Sequence, residues 1–99
     1  MTLTEVITNI NYQEEEWIIF AKKINGKFQP ASEAITVALT EEELEIPMAK
    51  IADKYCPGFD YFLEVFLVKD MLSDLNATIG FKSLDQQINR IIHYAEFDA

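Results

Sequence analysis

The sequence has little of what usually marks a catalytic, metal-binding or membrane protein. Among its 99 residues are one cysteine, one histidine, three glycines and three prolines. The lone Cys56 closes no intrachain disulfide, and no Cys or His cluster has the spacing of a zinc site. The glycines stand apart at Gly26, Gly58 and Gly80, so no glycine-rich loop is available to cradle a phosphate. No Asp-x-Asp-x-Asp-Gly run offers a calcium loop. No apolar stretch reaches the ~18 residues of a membrane-spanning helix. Met1-Thr2-Leu3-Thr4-Glu5 lacks the basic start and apolar run of a signal peptide. These absences predict a cytoplasmic chain with one domain, residues 1–99, and with no cofactor and no metal.

The same absences argue against catalysis. His93 falls in the last helical segment beside Ile92 and Tyr94, with neither a nucleophile nor an orienting partner in view. Cys56 precedes Pro57-Gly58 at a helix end, where the helix dipole raises a thiol pKa instead of activating it. No catalytic residue is expected, and the chain reads as a non-enzyme.

Positive charge is scarce as well. Eight Lys and Arg face 17 Asp and Glu, a formal net charge of −9. Such an excess repels phosphate backbones and anionic membranes. The largest basic cluster, Lys22, Lys23 and Lys27, is too small to reverse that. The expected partner is a basic protein, with no nucleic acid and no membrane involved.

What is present is material for a core: 49% of residues are apolar and 12% aromatic. Leu3, Val6, Ile7 and Ile10 follow a helical stripe over residues 3–12, with Thr2 and Glu5 as a capping box. Trp17-Ile18-Ile19-Phe20-Ala21 reads as a strand, and residues 34–39, Ala-Ile-Thr-Val-Ala-Leu, as a second. Pro47 suits the start of a short helix with Met48, Ile51, Ala52 and Tyr55 on one face. Residues 59–66 read as a third strand, with helix as the competing reading. Val68, Met71, Leu72, Leu75 and Ile79 then form a helical stripe ended by Gly80. Ser83 and Gln86 cap a final helix whose stripe is Leu84, Ile88, Ile91, Ile92 and Ala95. The prediction is an α+β domain ordered α-β-β-α-β-α-α, a small antiparallel or mixed three-stranded sheet packed with amphipathic helices. The last two helices would pair across about three residues.

The acid is not spread evenly. Glu14, Glu15 and Glu16 precede the first strand, while Glu41, Glu42, Glu43 and Glu45 follow the second. If these strands are antiparallel neighbours, both runs gather at one end of the sheet and the lysine cluster lies at the other. Register decides how closely. A tight turn at Asn25-Gly26 pairs Trp17 with Ala34 and leaves the second run overhanging. A wider loop through residue 33 pairs Trp17 with about Thr40, and Pro30, which donates no ladder hydrogen bond, favours it. Clustered like charges then form a candidate docking surface of Glu14, Glu15, Glu16, Glu41, Glu42, Glu43 and Glu45, with Trp17 as an aromatic anchor. The same glutamates also suit solvated strand ends that deter edge aggregation.

Several of these segments together resemble a family of small bacterial domains of unknown function. They are Trp17-Ile18-Ile19-Phe20, Ile35 to Leu39 followed by Glu41 to Glu43, Ile51-Ala52, and Val68-Lys69-Asp70-Met71-Leu72 through Asn76. Ser83-Leu84 and the close Tyr94-Ala95-Glu96-Phe97-Asp98-Ala99 complete the set. The family is similar to toxin-immunity-type proteins, and the resemblance implies a protein-binding role without catalytic residues. Residues and resemblance together lead to a protein-binding module that uses an acidic surface to meet a basic partner. Alternatives are a small-ligand-sensing domain, with an apolar pocket lined by Tyr55, Tyr61, Phe62, Phe66 and Tyr94, and a nucleic-acid mimic. An uncovered sheet face would favour a homodimer.

Overall fold

Ile18, Ile19, Phe20 and Ala21 are all buried, and a strand buried on both faces belongs in the middle of a covered sheet. The computed structural model, which describes residues 1–98, places it there. Strand β1 (Ile18–Ala21) lies between β2 (Ala34–Val37) and β3 (Asp60–Glu64), antiparallel to both. Around this sheet run α1 (Leu3–Thr8), α2 (Met48–Tyr55), α3 (Val65–Asn76) and α4 (Leu84–Phe97), with 3-10 turns at Ile10–Tyr12 and Glu43–Glu45. The fold is α+β in the order α-β-β-α-β-α-α, and the sheet is antiparallel throughout.

Alternation along β1 divides the core in two. Ile19 and Ala21 join Leu3, Val6, Ile7, Val65, Val68, Ile88 and Ile91 in the main core, under α1, α3 and α4. Ile18 and Phe20 face the other way, into a smaller cluster with Val37, Ile51, Ala52 and Cys56 beneath α2. A bulge adjusts β3 to this division. Ile19 pairs with Leu63 but Phe20 with Tyr61, leaving Phe62 as the extra residue. The kink lets the consecutive residues Phe62 and Leu63 both enter the main core, which a regular pleat forbids.

Both register readings find a place. Asn25 and Gly26 take positive φ of 53° and 80°, the pair required by a type I′ turn, and Ile24 bridges Lys27 around them. Continued down the strands, that register sets Ala21 against Pro30. Ala21 instead pairs with Ala34, because residues 28–33 leave the ladder. This excursion inserts Phe28 edge-on against Phe62, ring centroids 5.1 Å apart. Glu96 of α4 holds it by accepting the Phe28 backbone N–H at 2.6 Å. One step beyond Ile18↔Val37, Trp17 aligns with Ala38, two residues short of the Thr40 expected from a wider loop.

Helix starts follow their capping boxes, and helix ends depart from expectation. Thr2 with Glu5 and Ser83 with Gln86 form reciprocal caps as predicted. The first helix stops at Thr8 and does not run to residue 12. Asn9 gives both its backbone N–H and its side-chain amide to the Glu5 carbonyl, a local bond that competes with continuation. The 3-10 turn then still buries Ile10. The third strand ends at Glu64, and α3 begins at Val65, three residues before the expected stripe. It ends at Asn76, where the Thr78 hydroxyl donates to the Asp74 carbonyl. Ile79, expected on the buried stripe, is 91% exposed, and Leu84 is 41% exposed. The α3–α4 connection is residues 77–83, closed by Gln87, whose Nε2 donates to Asn76 Oδ1 and to the Phe81 carbonyl.

Candidate functional site

At the end of the sheet where β1 begins and β3 finishes, the side chains leave a cleft of about 510 Å3. Its apolar lining is Ile18, Leu44, Met48 and Phe66, and its acidic lining is Glu15, Glu16 and Glu64. Each arrives for a local reason. Ile18 alternates with Ile19 and so faces away from the main core. Met48 opens α2 after Pro47, and Leu44 sits in the 3-10 turn. Phe66 lies one residue past Val65; Val65 is buried in the main core, which turns Phe66 outward. Leu44 stays 55% exposed and Phe66 45%. Two large apolar side chains are thus left partly in water at one cleft.

The antiparallel register brings both glutamate runs to this end. Glu15 and Glu16 line the cleft directly, while the second run contributes through Leu44, which lies between Glu43 and Glu45. Glu14, Glu41, Glu42 and Glu45 are exposed beside them. Glu64 stands immediately before α3, where the helix dipole favours a carboxylate. Its Oε2 accepts the Tyr61 hydroxyl at 2.6 Å. Burial first, and this bond second, hold the Tyr61 hydroxyl well above the ordinary phenol range.

Two residues expected on the docking surface serve the fold instead. Glu43 is buried, 6% exposed. Its Oε1 accepts the Thr40 backbone N–H at 3.0 Å, and Thr40 Oγ1 accepts the Glu43 N–H at 3.2 Å. Its Oε2 takes Lys54 Nζ at 2.8 Å and the Tyr55 hydroxyl. Lys54, then Tyr55 and the Thr40 amide, lower its pKa to about 2. The signal was present in Thr40-Glu41-Glu42-Glu43, the spacing of a capping box, but the density of glutamate hid it. Glu43 thereby ties the turn that carries Leu44 to α2, and so shapes the cleft wall without facing a partner. Trp17 is half-buried against the main core on the opposite side of β1 from Ile18, so it is no anchor in this cleft.

The alternative apolar pocket does not assemble. Phe62 is 1% exposed within the main core, whereas Tyr61 stacks edge-on with Phe20 on the α2 face. Phe66 belongs to the acidic cleft and Tyr94 packs against the main core. A second cleft, about 490 Å3, lies between α1, α3 and α4. There the polar groups of Asn76 and Gln87 are spent on closing the α3–α4 connection. Cys56 is buried, and burial pushes its thiol up. Among the described residues, no three His, Cys, Asp or Glu side chains converge as metal ligands. No helix in residues 1–98 is long and apolar enough to cross a membrane.

Comparison with models of known protein families, with curated proteins and with solved structures finds no match to this chain.

Proposed function

We propose that this chain is a non-catalytic, cytoplasmic protein-binding module of the toxin-immunity type, which receives a basic partner at the acidic end of its sheet. The observation that supports the reading is the cleft itself. Exposed Leu44 and Phe66 lie there among Glu15, Glu16 and Glu64, in a chain of net charge −9. A field of that sign steers a positively charged protein toward this end and repels nucleic acid. Interfaces of this kind pair an apolar centre with a polar rim.

The test is affinity capture from the native cell extract at low salt, repeated with Glu15, Glu16, Glu41, Glu42 and Glu45 changed to Gln. Glu43 is left intact because it holds the fold. The same basic partner should be lost from the variant, and its association with the wild type should slow steeply between low salt and ~0.5 M. Capture that ignores both the substitutions and the salt would sink the reading.

A further inference from the structure

We infer that the acidic cleft seats a large apolar side chain projecting from a basic amphipathic helix of a protein partner. Leu44 and Phe66 cover that side chain, while Glu15 and Glu16 meet Lys or Arg one helical turn to either side. The inference rests on the acidic-end reading and adds the chemistry and conformation of what binds there.

Three observations bear on it. The first is exposure. Phe66 stands in the first turn of α3 with nearly half its surface in water, and Leu44 is more exposed still. Covering them removes apolar area from water. The second is the make-up of the walls. They are side chains from the ends of β1, β3, α2 and α3 and from one 3-10 turn. Both edges of β1 are already paired, so β1 offers no free ladder to an incoming strand. The edge strands of the sheet are β2 and β3; within the cleft, whose walls are side chains, an occupant engages through inserted side chains. A helix with an apolar residue at i and cations at i±3 or i±4 presents that pattern on one face. The third is sign. A second copy of the chain docking through the same face would set Glu15, Glu16 and Glu64 against their own kind, each copy bearing −9. Like charges brought together across an interface oppose association, so the occupant is a basic partner and not another copy.

The experiment uses two fluorescein-labelled peptides of identical Leu and Lys composition. One has its leucines on a single helical face, and the other has them scattered around the helix. Both are titrated at low salt against the wild-type chain, Leu44→Asn, Phe66→Asn and Glu15→Gln/Glu16→Gln, while the Met48 methyl resonance is followed by NMR. The amphipathic peptide should bind at least about tenfold more tightly than its scramble, the loss expected for uncovering one large apolar side chain. That preference should vanish in Leu44→Asn and in Phe66→Asn, and the Met48 methyl should shift only with the amphipathic peptide. The Met48 readout on the wild type stands even if a variant melts early.

Equal affinity for the two peptides overturns the inference, as does a preference that survives both Asn substitutions. A Met48 shift that appears with protein concentration alone also overturns it, because the face then belongs to a second copy. If the peptides bind equally and Glu15→Gln/Glu16→Gln weakens both, helix anchoring falls and the acidic-end reading stands. If neither peptide binds, or binding is blind to every substitution, both fall.

Discussion

The two faces of the sheet are covered very differently. On one, three helices close over Ile19, Ala21, Phe62 and Leu63, and residues from α1, α3 and α4 are buried almost completely. On the other, the eight residues of α2 cover Ile18, Phe20 and Val37, with Ile35, Met48, Phe59 and Tyr61 only partly buried. The thick face is where apolar area converts to stability. The thin face stops short at one end, and there Leu44 and Phe66 remain in water beside glutamates. One sheet thus carries a thickly covered core on one face and a thinly covered one on the other.

That division can be broken at graded points. Ile91→Ala, in α4 on the thick face, should cost about 2–5 kcal/mol by urea denaturation, because Ile91 is fully buried and its cavity cannot collapse freely. A loss under 1 kcal/mol would mean that the three-helix side is looser than its burial implies. Glu96→Ala removes the acceptor for the Phe28 N–H and should cost about 1–3 kcal/mol. Amide exchange should quicken at Phe28 before it does in β1.

On the thin face the informative variable is pH. The Glu43 carboxyl is held at about 2 when folded, below its ordinary value of 4.5. Its contribution is therefore fully present above pH 4.5 and is lost as pH falls from 4.5 toward 2. Glu43→Gln should flatten that part of the wild-type melting-temperature profile, a difference thermal melts at stepped pH will show. Identical acid limbs in the two proteins would remove Glu43 from the account. The smallest effect belongs to Phe66→Asn, which should change stability by no more than about 0.5 kcal/mol, as for an ordinary surface position. A larger loss would move Phe66 from the proposed docking surface into the fold.

Much of this arrangement was readable from local pattern. Thr2-Glu5 and Ser83-Gln86 announce helix starts because both partners of each cap lie within one turn. The Trp17–Ala21 run and the Ile88–Ile91–Ile92 stripe declare their elements through composition and period. Element ends were less legible. Asn9 and Thr78 stop their helices with bonds to a carbonyl four residues back, and nothing in the apolar stripe records that competition. Of the candidate surface, Glu15 and Glu16 reach the cleft, whereas Glu43 and Trp17 turn inward. The glutamate runs pointed to the end of the sheet where this cleft lies, but could not show that Glu64 and Phe66, distant in the chain, line it too.

By itself, the sequence determined the class of fold, the order of its elements and the sign of its field, because each depends on composition or on contacts within a few residues. Tertiary structure alone decided the register of β1 against β2, the bulge that admits both Phe62 and Leu63, and the site. Those depend on where residues 28–33 leave the ladder and on which helix covers which face. Such choices are made by packing between distant segments, and a local pattern carries no record of them.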